Sequence, residues 1–138
     1  MPTSRLLCSG RRRLAVFAAL YAASLAGAAY ATSIFEFDRW MQQVEKRALS
    51  LQKSLDRADG AAGAADARAI GELYRGMEEF FAIAGDADGA VELSKKGRAD
   101  AGDIATRAAA GDFQGARTLI KGMMEDCRTC HREYKPLS

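Results

Sequence analysis

GDFQGARTLIKGMMEDCRTCHREYKP, residues 111–136, is the stretch whose reading decides the fold. Its positions Phe113, Ala116, Ile120, Met123, Cys127, Cys130 and Tyr134 alternate in steps of three and four, the spacing that keeps side chains on one stripe of an α-helix. Asp112 stands where an N-cap belongs, and Pro136 stands where a helix can no longer continue. A helix whose buried stripe carries two cysteines needs partners to cover that stripe.

The rest of the chain supplies them. Upstream, Ile34, Phe37, Met41, Val44, Ala48, Leu51, Leu55 and Ala58 form a sustained a/d seam. At a rise of ~1.5 Å per residue, residues 34–58 make a rod of about 38 Å, with a stop at Asp59-Gly60. A second stretch, from Ala64 to Ala84, shows a broad apolar face of Ile70, Leu73, Tyr74, Met77, Phe80, Phe81 and Ile83, and Gly85-Asp86 ends it. The third, from Ala87 to Ala110, is the weakest by pattern. Its apolar positions are mostly small (Val91, Leu93, Ala101, Ile104, Ala105, Ala108), and Gly97 and Gly102 each cost a helix about 1 kcal/mol relative to alanine.

No stretch alternates as a strand does, so the fold class is all-α. Connections of two to five residues between long helices force neighbours to run antiparallel. The expected architecture is therefore an antiparallel up-down-up-down four-helix bundle. An extended coiled coil is disfavoured by the three Gly and Asp breaks.

Within the deciding stretch lies Cys127-Arg128-Thr129-Cys130-His131, the C-x-x-C-H pattern of covalent haem attachment. On a helix, positions i, i+3 and i+4 share a face, so both thiols can meet a flat porphyrin while the adjacent imidazole ligates its iron. A structural zinc site would need a second pair of ligands, and the only other cysteine is Cys8. A thioredoxin-like dithiol would be expected beside a βαβ pattern, which is lacking. The cofactor expected from these residues is one haem c.

The beginning of the chain carries Arg5, Arg11, Arg12 and Arg13 without any acid, followed by an uncharged run from Leu14 to Ala31. Ala29-Tyr30-Ala31 fits the A-x-A rule, so residues 1–31 read as a secretory signal cut before Thr32, leaving residues 32–138 as one haem-binding domain. An uncleaved anchor is the alternative, although alanine and glycine make a weak span. Cleavage leaves no stable membrane span and takes Cys8 with it. It also removes four of the 20 basic residues and none of the 18 acidic ones, so the mature chain is about −2. The basic pI of the whole chain is therefore no sign of nucleic-acid binding.

A secreted four-helix chain with this motif resembles the class II c-type cytochromes, the cytochrome c prime family. The resemblance covers essentially all of the mature chain. It is most specific where Ala108-Ala109-Ala110-Gly111-Asp112-Phe113 leads into Cys127-Arg128-Thr129-Cys130-His131-Arg132-Glu133-Tyr134-Lys135. It implies a periplasmic electron carrier or binder of small gases, serving periplasmic redox partner proteins and forming a homodimer through the outer faces of the first two helices. The mature chain is shorter than typical members, its link near Gly85 to Gly89 lacks their longer loop, and Lys135 stands where they often have arginine. A lysine cannot fork or stack as a guanidinium does.

The sixth iron ligand separates the two functions. His131 is the only histidine, so bis-histidine ligation within a monomer is ruled out. Met123 and Met124 lie on the motif's own helix and cannot reach the opposite face, which leaves Met41 and Met77. Met41 sits early in the first helix, beside the end of the antiparallel fourth, and resembles the first-helix methionine of low-spin class II members. Its alternative role is simply to fill a seam. With Met41 bound the protein is an electron carrier with a raised potential. With Met41 turned away, an apolar distal wall of Met41, Val44 and Phe80 or Phe81 suits NO or CO.

Smaller assignments surround these. Arg39 is a candidate partner for a haem propionate, against the alternative of a solvated surface arginine. Trp40 and Tyr134 are candidates for the haem edge, against ordinary bundle packing. An enzyme is not expected, because the single histidine is committed to iron and the first and second helices offer mainly apolar residues on their seams where a peroxidase would want distal acid-base groups.

Overall fold

The computed structural model describes residues 34–85 and 87–134. The proposed signal at residues 1–31, and Lys135 and Pro136, lie outside them. The chain divides between Glu36 and Phe37 into two units, and the bundle belongs to the second. Among the described residues there are four helices and no strand. They are α1 (residues 34–56), α2 (Gly60–Ala84), α3 (Asp88–Ala109) and α4 (Phe113–Tyr134). None of the described helices is long and apolar enough to cross a membrane.

Cross-helix contacts set the directions. Arg47 of α1 pairs with Asp66 of α2 at 2.8 Å, while Trp40, earlier in α1, lies against Gly76, later in α2. Arg117 of α4 donates to the Leu55 carbonyl at 3.0 Å, and Met124 lies opposite the earlier Gln52, whose amide reaches its sulfur at 3.3 Å. Lys96 of α3 reaches Asp126 of α4 at 2.6 Å. Sequential neighbours run antiparallel, α2 and α4 run parallel, and the chain is an up-down-up-down four-helix bundle.

The core explains why small residues dominate α3. Leu51, Leu55, Ile70, Tyr74, Met77, Ile104, Ile120 and Met123 are the large buried side chains. Between α2 and α3 the filling is methyl groups and hydrogens: Ala64, Ala67, Ala101, Ala105 and Ala108 are buried, and a Cβ placed on Gly63 would already touch that of Ala108 at 3.5 Å. Burial of the charged Asp66 is tolerated because Arg47 meets it from the neighbouring helix.

Two corrections to the expected boundaries share one cause. Asp59-Gly60 does not merely stop α1; Asp59 is the N-cap of α2, its carboxylate accepting from the Ala62 amide at 3.0 Å, so α2 begins four residues before Ala64. Ala58 is not a seam residue but an exposed turn residue with φ of 56°. The Ala58 amide donates to the Leu55 carbonyl (3.2 Å) and the Asp59 amide to the Ser54 carbonyl (2.9 Å), which is the Schellman closure of a helix end. The same joint recurs after α3. Gly111 has φ of 78°, its amide donates to Ala108 (3.1 Å), the Asp112 amide donates to Arg107 (2.9 Å), and Asp112 caps α4 through the Gly115 amide (2.9 Å).

The two joints share their backbone hydrogen bonds and aspartate cap; Asp112 also pairs with Arg107 at 2.6 Å, and the left-handed position, where a Cβ costs roughly 1–2 kcal/mol, is held by alanine in one and glycine in the other. Replacing Ala58 by glycine is expected to stabilise the fold by roughly 1 kcal/mol, and Gly111→Ala to destabilise it by a similar amount. Chemical denaturation of both variants checks the opposite signs.

Candidate functional site

Cys127, Cys130 and His131 occupy the last two turns of α4, as their spacing requires. Both thiols are half-buried and His131 is exposed. The helix end suits them, since His131 and Arg132 place basic groups in the last turn, where carbonyls lack partners. The segment is held to α3 by Lys96, which bridges Asp100 (2.8 Å) and Asp126 (2.6 Å) just before the first thiol.

Toward the interior, Cys127 meets α2. Tyr74 Oη lies 3.3 Å from Cys127 Sγ, a hydrogen bond in which either group can donate. Tyr74 is only 9% exposed. Burial pushes its hydroxyl well above its usual pKa, and the nearby Cys127 adds to the shift. Burial likewise raises the Cys130 thiol, with Cys127 and Glu133 contributing. A raised thiol is a poor nucleophile until something draws off its proton.

The ring of Tyr74 is positioned by an absence. It lies against Gly97 of α3, where an added Cβ would fall 2.6 Å from Cε1 and Cζ. Gly97, counted as a cost from sequence, is the gap that admits the tyrosine. Gly102 has nothing within 4 Å of where its Cβ would be and faces outward.

One turn further toward the end of α4 is an aromatic layer. Phe37 packs on Phe80 (4.7 Å between centroids) and Phe81 (5.3 Å), and Phe81 packs on Tyr134 (6.2 Å). The Tyr134 hydroxyl abuts Gly89 of α3. Trp40 lies edge-on to Phe37 and against Gly76. Tyr134 and Trp40 thus pack within the bundle.

Met41 follows Phe37 by one turn. It is half-buried and packed against the core. Because Phe37 shares a layer with Tyr134, Met41 falls at the level of Cys130 and His131. Met77 lies on the α2 stripe between Tyr74, which touches Cys127, and Phe81, which touches Tyr134, and it is 2% exposed. Both thioethers therefore belong to the layer of the motif. Val44 is buried in the core, Phe80 and Phe81 are half-buried, and Arg39 is exposed on α1.

The layer combines two thiols, an accessible imidazole, two thioethers and an aromatic lid. Among the described residues no three His, Cys, Asp or Glu side chains converge on a point that could hold a bare metal ion. Tyr74 and Gly97 are the residues that sequence reasoning missed. Tyr74 read as one apolar position among several, and only its contact with α4 reveals the polar end.

The two helix glycines should respond oppositely. Gly102→Ala is expected to stabilise by about 1 kcal/mol through helix propensity. Gly97→Ala should destabilise by about 1–3 kcal/mol through overpacking against Tyr74. Thermal unfolding of the pair checks the contrast.

Compared with known proteins, the chain matches no family model, no curated protein and no solved structure.

Proposed function

We propose that this chain is a monohaem c-type cytochrome of the class II kind, delivered to the periplasm by residues 1–31, that carries electrons between periplasmic redox partners. Cys127 and Cys130 hold the haem, His131 is the proximal ligand and Met41 the sixth. The reading is supported above all by one observation: the C-x-x-C-H segment presents two half-buried thiols and one exposed imidazole from a single helix, level with a half-buried methionine on another.

The residues fit the group. Cys127 and Cys130 would hold the group, each adding its S–H across one vinyl, sulfur to the carbon next to the ring and hydrogen to the terminal carbon, so that nothing would leave and nothing would be oxidised. His131 is exposed, so its imidazole would be open to a ligand. Met41, Met77, Phe37 and Phe81, the apolar side chains packed nearby, would shield one edge of such a ligand from water. Haem, when bound, would supply one-electron chemistry, and ligation by the Met41 thioether would raise its potential. The protein's part is to hold the axial groups in packed helices.

The half-buried state of Met41 keeps a second reading alive. A methionine that is not fully enclosed can turn away, leaving a five-coordinate iron behind an apolar wall that suits NO or CO.

Visible spectroscopy of the purified ferric protein separates the readings. The expected spectrum is low-spin, with a sulfur-to-iron charge-transfer band near the red end of the visible. Met41→Ala should abolish that band and Met77→Ala should keep it. A high-spin ferric spectrum unchanged by Met41→Ala would replace the carrier with the gas-binding protein.

A further inference from the structure

The contact between Tyr74 and Cys127 is more than packing. Three helices converge on it: α2 contributes the phenol, α3 the gap at Gly97, and α4 the sulfur. A hydroxyl buried to this degree has to find a partner, because leaving it without one costs about 1–3 kcal/mol. Its side-chain partner here is the sulfur of Cys127 at 3.3 Å. A thiol can donate or accept, so the free cysteine leaves the direction of the bond open.

Attachment of haem would remove that ambiguity. A thioether sulfur has no proton and can only accept, so the phenol must become the donor. A phenol at 3.3 Å from Cys127 Sγ would be beside the vinyl-derived edge of the attached cofactor rather than its propionates. A hydrogen bond donated to a sulfur at that edge withdraws electron density from the macrocycle and favours the electron-rich, reduced state.

We propose that Tyr74 is a positioning residue of the attachment site: held by Gly97, it donates to the sulfur of Cys127, fixes the orientation of that thioether and raises the reduction potential of the cofactor attached there. The assignment rests on the cytochrome reading above. It differs from the axial ligands in acting through the tether rather than through the iron. Outer-shell hydrogen bonds of this kind orient first-shell groups and tune metal centres.

The test compares full-length wild type and Tyr74→Phe, both expressed with haem. Phenylalanine keeps the ring and its packing on Gly97 and removes only the donor. Intact mass first establishes covalent haem in both. Redox titration is then expected to show a lower potential for Tyr74→Phe, and resonance Raman a shifted carbon–sulfur stretch for one of the two thioethers. Gly97→Ala, which displaces the ring while keeping the hydroxyl, should move both readouts in the same direction. Covalent haem with potential and stretch both unchanged in Tyr74→Phe overturns the role of Tyr74 and leaves the cytochrome reading standing. Absence of covalent haem from the wild-type chain overturns the cytochrome reading, and this inference with it.

Discussion

Helices α2 and α3 meet through hydrogens and methyl groups, and that close approach is the constraint on which the rest of the bundle depends. A Cβ on Gly60 would run into the Ala108 carbonyl, and one on Gly71 would touch the Ala101 methyl at 3.6 Å. Interiors packed to near-crystalline density leave no slack at such places. Where the helices come this near, a large side chain fits only opposite a missing one. Tyr74 uses the space left by Gly97, and Tyr134 uses that left by Gly89. The two tyrosines that bracket the C-x-x-C-H segment are thus placed by glycines of α3. The helix with the poorest intrinsic propensity makes the space that both tyrosines occupy.

The interactions that fasten α4 are of a different kind. Lys96 joins Asp126, Arg117 reaches the Leu55 carbonyl, and Gln52 meets the Met124 sulfur. These contacts are exposed or half-exposed, and exposed ion pairs contribute roughly 0–1 kcal/mol each. They choose a register more than they supply stability. The apolar stripe of Ala116, Ile120 and Met123 supplies the burial, and the polar contacts decide which residues of α1 and α3 lie beside it.

Much of this was legible in the chain as written. Heptad spacing gave the four helices and the short links gave their directions. Gly111-Asp112 read correctly as a break followed by a cap, since glycine announces a left-handed turn. The equivalent break at Ala58-Asp59 was misread because alanine announces nothing of the kind, and it continued the seam spacing by coincidence. Asp59 then looked like a terminator, when its carboxylate serves the helix that follows. Gly97 was misread for the converse reason. Propensity weighs a glycine against its own helix, whereas its value here lies in what it permits α2 to place there. The candidate site showed a similar division. The motif and its level with Met41 follow from local spacing and chain direction, but the Tyr74–Cys127 contact joins residues 53 positions apart and depends on the rotation of α2 about its axis.

The repeated joint has a mechanical consequence. Both capped turns, Ala58-Asp59 and Gly111-Asp112, lie at one end of the bundle, and the C-x-x-C-H segment lies at the other, with the α2–α3 link at Gly85. Each antiparallel pair, α1 with α2 and α3 with α4, is thus closed by the same kind of hydrogen-bonded turn at the end remote from the motif. Both turns are closed by backbone hydrogen bonds and an aspartate cap, so the register of α1 against α2 and of α3 against α4 is set at that end and does not depend on the side chains around the C-x-x-C-H segment.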